Sequence, residues 1–197
     1  YQNERVASEF LQTVASIAKL ERRLHGAESE LTRLAALHLF RLTAVKDEYE
    51  VARLHRKFEF QAALNELVPQ GKKVKYLLQP PMMSSLGLKK KIAIPSLLAR
   101  PTFSLLAAMR RVRSTPFDIF GFAPLRREER QLRLDFIADI DLVVNSLCPE
   151  NKADSARLLD AAAAVRGFED VKRRSMKTYY ESRSLLRAAV ASAASTN

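Results

Sequence analysis

Apolar residues recur at helical spacing over most of the chain. Between residues 3 and 25, Val6, Phe10, Val14, Ile17 and Leu24 follow at three, four or seven positions, which keeps them on one helix face. Gly26 comes next and suits the left-handed position that ends a helix. From Ala27 onward, Leu31, Leu34, His38, Leu42, Val45, Tyr49 and Ala52 continue the pattern, with no Gly or Pro before Pro69. This spacing predicts one long helix to about residue 55, then a turn or kink and a short helix to Leu67.

The pattern breaks over residues 68–100. Pro69, Gly71, Pro80, Pro81, Gly87 and Pro95 forbid a long helix and predict an irregular insertion. Within it, the stretches starting at Lys73 and Lys91 are candidates for two extended pieces paired as a hairpin. Pro101 suits the first turn of a helix to about Arg113, with Phe103, Leu106 and Met109 on one face. Residues 114–123 carry Phe117, Phe120 and Phe122, and so many aromatics predict a loop packed into the core. Pro124 opens a helix with a stripe of Leu132, Phe136, Ile140, Val143 and Leu147. Pro149 opens another, to about Val165. Gly167 separates it from a last helix to about Ala191, and 192–197 read as a frayed tail. The expected fold is mainly α: one helical domain over 1–197, a bundle of about six helices with the irregular insertion.

With 197 residues, 47% of them hydrophobic, the chain can build a sizeable core, and 5 Gly and 8 Pro exclude a low-complexity protein. Cys148 is the one cysteine. It can close no intrachain disulfide and build no Cys-rich metal site, and it fits a reducing, cytoplasmic setting. The longest uncharged run, Tyr76 to Leu88, contains Pro80-Pro81 and falls short of the about 20 apolar residues of a membrane helix, so no membrane partner is expected. The first residue is Tyr1 rather than Met, as expected of a piece of a longer chain.

The charge distribution changes the picture most. The net charge is +11, yet residues 1–67 hold 10 basic and 10 acidic side chains and residues 116–197 hold 13 and 12. Residues 68–115 hold 10 basic and no acidic side chain. Lys72, Lys73, Lys75, Lys89, Lys90 and Lys91 flank the Pro-Pro segment, and pairing of the two flanks would gather them on one surface for an anionic partner. Arg110, Arg111 and Arg113 sit at a helix C-terminus, the unfavourable end for an anion.

Other candidate chemistry is sparse. His25, His38 and His55 have no second His at helical spacing, so structural roles are expected; His38 falls on the apolar stripe, and His55 and Glu59 are four apart. Asp135 and Asp139 share a helix face, where paired carboxylates can act as acid and base, but their neighbours favour salt bridges. Cys148 stands at a helix start without a nearby base. No phosphate-cradling Gly-rich motif occurs. Catalysis by this chain alone is not expected.

Several stretches nevertheless form an ordered set. Lys46-Asp47-Glu48-Tyr49-Glu50-Val51-Ala52-Arg53-Leu54 is followed by Tyr76-Leu-Leu-Gln-Pro-Pro81, then Arg113-Ser-Thr115-Pro116-Phe-Asp118-Ile-Phe120-Gly121. Arg127-Glu-Glu-Arg130, Pro149-Glu-Asn151 and Val165-Arg166-Gly167-Phe-Glu-Asp-Val-Lys172 come after. This order resembles the helical C-terminal region of bacterial fused indolepyruvate ferredoxin oxidoreductases, over about residues 30–185. Ser114, Ile119 and Glu169-Asp170 depart from the family pattern, which has Gly, Pro and Gly-His there, and the family's Gly-Pro-Trp is absent.

The resemblance implies a parent enzyme that oxidatively decarboxylates indolepyruvate and related aryl 2-oxoacids to arylacetyl-CoA. It implies thiamine diphosphate with Mg, coenzyme A and iron–sulfur clusters on other domains, and an acidic ferredoxin as electron acceptor. The present segment would be a non-catalytic helical domain for subunit packing or partner docking in a homo-oligomer. Composition supports a second expectation, a helical nucleic-acid-binding module using residues 68–115. Glu50 and Arg53, on one face of the Lys46–Leu54 helix, are expected to pair with the loop at 113–121 or with another domain.

Overall fold

The computed structural model describes residues 2–25, 30–68, 74–78, 92–113 and 115–194. The protein is mainly α. Among the described residues there are eight α-helices, rather than about six, and one two-stranded sheet. The helices are α1 (Glu4–His25), α2 (Glu30–Thr43), α3 (Glu48–His55), α4 (Phe58–Leu67), α5 (Ser96–Ala108), α6 (Pro124–Ser146), α7 (Lys152–Asp160) and α8 (Glu169–Ala194). The strands are β1 (Lys75–Leu78) and β2 (Ile92–Pro95), and short 3-10 turns follow α5 and α7. Among the described residues no helix is long and apolar enough to cross a membrane. Where the sequence reads as one helical domain, the chain groups into two compact units. One is Asn3–Ala44 with Glu128–Asn197; the other is Val45–Arg127.

The first unit follows the apolar stripes. Asn3 opens α1 by accepting the Val6 N–H at 3.0 Å. Ile17, Leu31, Leu34, Leu39 and Leu42 meet Leu132, Phe136, Ile140 and Val143 of α6, with Leu158, Leu159, Met176 and Tyr179 completing one core. Leu24, expected on the buried face, is exposed. The buried stripe of α1 ends instead at Glu21, four residues after Ile17 and fully buried. Its carboxylate accepts the N–H groups of Leu31 and Thr32 at 3.1 and 2.8 Å and the Thr32 hydroxyl at 2.6 Å. The first-turn donors of Leu31 and Thr32 in α2 are thus capped from α1. Asn151, fully buried, accepts from the Cys148 N–H and donates to the carbonyls of Ser146 and Val190, tying the turn before α7 to α8. α7 starts at Lys152 and not at Pro149, with Asn151 at the N-cap position and its side chain turned back onto the preceding turn. At the far end α8 continues to Ala194, past the expected frayed start at Ser192; residues 195–197 lie outside the described residues.

The second unit departs further from expectation. The predicted long helix stops at Thr43, and the next begins at Glu48, because Asp47 adopts extended backbone (φ −81°, ψ −179°) and accepts the Glu50 N–H at 2.8 Å. No Gly or Pro marks this break. The signal is Asp47 followed by Glu50 at the third position, the spacing of a capping box. Pro101, expected to start a helix, lies inside α5 at its sixth residue; extended Pro95 (φ −61°, ψ 148°) precedes the true start. With no N–H on Pro101, the Leu97 carbonyl loses its usual helical partner.

The expected hairpin forms. β1 and β2 are antiparallel, with Lys75 opposite Pro95 and Leu78 opposite Ile92. The two strand starts therefore stand at opposite ends of the ribbon. Tyr76 and Ile94 pack with Ala52, Ala99 and Phe103 in a small second core. His55 joins them: its ring lies 4.6 Å from Phe60, 4.9 Å from Phe103 and 5.8 Å from Tyr76, while Nδ1 sits 2.7 Å from the Val51 carbonyl. The loop after Arg113 does not bury its aromatics as expected. Phe117 is 76% exposed and Phe122 56% exposed; only Phe120 turns inward, edge-on to Tyr49. The reason is polar: the loop folds around the Asp118 carboxylate, and only one aromatic faces the helix that this carboxylate reaches.

Candidate functional site

The N-terminus of α3 and the loop 113–121 converge in the second unit. Arg113, 5% exposed at its side chain, donates through Nε and Nη2 to Asp47 Oδ2 and Oδ1 at 2.6 and 2.5 Å. This is the two-pronged geometry in which a guanidinium best grips a carboxylate. Asp47 Oδ1 also caps α3, so one side chain starts the helix and holds the loop. Tyr49 is buried, and its hydroxyl donates to Asp118 Oδ1 at 3.1 Å. The Arg113 guanidinium lies 5.6 Å from the centre of the Tyr49 ring, within cation–π reach. Burial, with the Asp118 charge second, raises the Tyr49 pKa far above its ordinary value, so the phenol keeps its proton.

Asp118 shapes the rest of the loop. Its N–H donates to the Thr115 carbonyl at 3.1 Å, and its Oδ1 accepts the Gly121 N–H at 3.0 Å. A Cβ on Gly121 would stand 2.4 Å from Asp118 Oδ2, so only glycine leaves room for this carboxylate. Thr115 donates its hydroxyl to the Val112 carbonyl at 2.6 Å and, with Pro116, stays exposed.

Two further charge pairs flank this knot. Arg126 Nη2 donates to Glu48 Oε1 at 3.2 Å, both side chains being largely buried. Burial holds the Glu48 pKa above the usual carboxylate value against the pull of Arg126. Glu50 and Arg53, expected to reach the loop, pair with each other at 2.6 and 2.8 Å. That bond depresses the Glu50 pKa, with Arg113 contributing through its charge. Glu50 and Arg53 were expected to pair with this loop or with another domain; toward the loop and Arg126 the side-chain bonds come from Asp47, Glu48 and Tyr49, while Glu50 reaches Arg113 only electrostatically. Lys46 is exposed. Lys75 is exposed on β1, and Lys72, Lys73, Lys89, Lys90 and Lys91 lie outside the described residues.

The later motifs meet in the first unit. Lys172 Nζ donates to the buried Glu129 Oε1 at 2.5 Å, and Arg173 Nε to Glu128 Oε2 at 3.1 Å. The turn entering α8 uses Gly167 at φ +92°, as its sequence position predicts, and Glu169 at φ +45°. A Cβ on Gly167 would stand 2.6 Å from Val171 Cγ1. Ser175 Oγ accepts the exposed Arg166 N–H at 3.1 Å and closes the turn. Asp135 and Asp139 hold structural bonds. Asp139 is fully buried and takes Arg187 Nη1, Arg183 Nε at 2.7 Å and the Tyr179 hydroxyl at 3.2 Å, while Asp135 takes the Tyr180 hydroxyl at 2.7 Å. Sequence reasoning did not single out Glu21, Arg126, Arg183 or Arg187.

Chemically, these clusters are clamps. Asp47, Asp118 and Asp139 are each bound to a cation or a donated proton, and none adjoins a nucleophile. Among the described residues no group of three or more His, Cys, Asp or Glu side chains is arranged to hold a metal ion. One cysteine and arginine-bound carboxylates are not the donor set for an iron–sulfur cluster or for thiamine-bound Mg.

No curated protein matches the chain, and no solved structure does. Residues 1–184 match the profile of a family of unknown function, DUF6537, and the chain belongs to that family.

Proposed function

We propose that the chain is a non-catalytic helical domain of an indolepyruvate (aryl 2-oxoacid) ferredoxin oxidoreductase, acting in the cytoplasm through subunit packing or partner docking. One observation carries this reading. The separate stretches of the resemblance are joined in pairs by side-chain bonds: Lys46–Leu54 to Arg113–Gly121 through Asp47–Arg113 and Tyr49–Asp118, and Arg127–Arg130 to Val165–Lys172 through Glu129–Lys172. Segments that matter only as sequence would have no reason to bond to one another. Their partnership supports a shared architecture with the family over the matched span. The clamps organise backbone and carry no reacting group, which supports a packing role over a catalytic one. Thiamine diphosphate, Mg, coenzyme A and the iron–sulfur clusters then belong to other domains of the parent.

The test is the complete polypeptide encoded around this segment. Purified anaerobically, it should carry thiamine-binding domains and reduce a ferredoxin in the presence of indolepyruvate and coenzyme A. A complete polypeptide without such domains overturns the reading. Tight, lysine-dependent binding of a random-sequence oligonucleotide at physiological salt would then favour the nucleic-acid module.

A further inference from the structure

The helix α5 carries apolar residues on two faces, with Arg100, Thr102 and Ser104 between them. Its inner face, with Ala99, Phe103 and Ala107, is buried. Its outer face carries Leu97, Pro101, Leu105 and Ala108, at spacings of four, four and three, with Leu98 beside them. All five are exposed, Leu97 at 86% and Leu105 at 65%. The exposed stripe spans about three turns, and its 97–101–105 row is the i, i+4, i+8 ridge by which helices pack on helices.

Charge specifies what covers it. Arg100, exposed, stands at one edge of this stripe, and Arg111, also exposed, lies in the 3-10 turn that follows α5. No acidic residue occurs from Leu67 to Phe117. The stripe therefore offers apolar contact beside exposed cations, in a stretch of sequence without an acid. Pro101 and Ala108 are flat or small and leave hollows between the leucines, as a partner helix requires. The stripe contains none of the aromatic residues that anchor proteins at a bilayer surface.

We propose that α5 is a docking surface for an amphipathic helix of a partner polypeptide, one whose apolar ridge is bordered by Asp or Glu. This inference rests on the reading of the chain as a packing domain and specifies the chemistry of what it packs against. The apolar ridge supplies the contact, and the carboxylates answer Arg100 and Arg111.

The experiment uses the 197-residue chain and three probes. Two are designed helical peptides with the same leucine stripe, one flanked by Glu and one by Lys. The third is a vesicle of phosphatidylserine and phosphatidylcholine. Fluorescence anisotropy should give saturable binding of the Glu peptide at least about tenfold tighter than of the Lys peptide. Leu97→Gln with Leu105→Gln should weaken it by about tenfold or more with far-ultraviolet circular dichroism unchanged, since both side chains are exposed. Arg100→Ala with Arg111→Ala, which removes no apolar surface, should abolish the preference for Glu over Lys. Equal binding of the two peptides, or leucine-dependent binding to the vesicle in preference to either peptide, overturns the proposal. Neither result bears on whether the complete polypeptide contains thiamine-binding domains, so the two readings fail separately.

Discussion

The two units reach order by different means. The first, built from α1, α2, α6, α7 and α8, has one continuous core: among the described residues, seventeen buried side chains from Ile17 to Val190 belong to it. The second has a cluster of three, Ala52, Ala99 and Phe103, beside the Tyr49–Asp118 contact, and leaves Phe58, Leu67, Leu77, Leu97 and Phe117 more than 60% exposed. Its definition comes from directional bonds: Arg113 on Asp47, Tyr49 on Asp118, Arg126 on Glu48. Area burial supplies roughly 25 cal/mol per Å², so a small core contributes little, and a few satisfied polar ties then decide which conformation wins.

The comparison is most sharply broken at Asp47. Asp47→Ala removes a helix cap and leaves the buried Arg113 guanidinium without its carboxylate. We expect a loss of about 4 kcal/mol, the sum of roughly 1 for the cap and 3 for the pair. Hydrogen exchange should report it first in α3 and α5, and near-normal protection of α3 in the variant would refute the account. In the first unit, Asp139→Asn weakens the anchor of Arg183, Arg187 and Tyr179, and urea unfolding should register a loss of about 3 kcal/mol, less than for Asp47 because Arg187 retains access to water. A larger loss than at Asp47 would invert the comparison.

Gly167→Val places a β-branched side chain at φ +92° against Val171 and should lower stability by about 2 kcal/mol. An unchanged melting temperature would reject the turn. The smallest effect concerns pH. His38 is buried, with Nε2 3.1 Å from Asp160 Oδ1; burial holds its pKa below 6.5, outweighing that carboxylate. Protonation is therefore easier in the unfolded chain than in the folded one. Stability should be full above pH 6.5, decline as pH falls toward the lower folded value, and level off beneath it. His38→Gln should flatten this slope, and a slope unchanged in the variant would assign it elsewhere.

How much was legible follows the same division. The stripes of α1 as far as Ile17, of α2 as far as Leu42 and of α6 were legible because burial selects apolar residues at helical period, and Gly167 because a positive φ selects glycine. Leucine counting does not see a carboxylate in phase with a stripe. Glu21 stands four residues after Ile17, Asp139 three after Phe136 and Glu129 three before Leu132, and all are buried. The break at Asp47 was written in the capping-box spacing but masked by apolar residues that continue in phase across it. The outward Phe117 and Phe122 had no local signal, since their place depends on what Asp118 bonds. The Lys46–Leu54 and Arg113–Gly121 stretches were expected to meet through Glu50 and Arg53; that Asp47 and Tyr49 make the contact is a property of the fold.

The first unit is discontinuous along the chain, with Val45–Arg127 emerging between its two parts. Leu31, Leu34 and Leu39 leave the ribosome before the Leu132–Val143 stripe that will cover them has been made. The 83 residues from Val45 to Arg127 take roughly 4–17 s to synthesise at 5–20 residues per second. For that interval α1 and α2 are a helical hairpin with a bare apolar face, held in register by the Glu21 cap. Nascent-chain survival thus depends on a polar bond formed early within the hairpin. A Glu21→Ala chain would be exposed to aggregation during synthesis even where its finished fold remains stable.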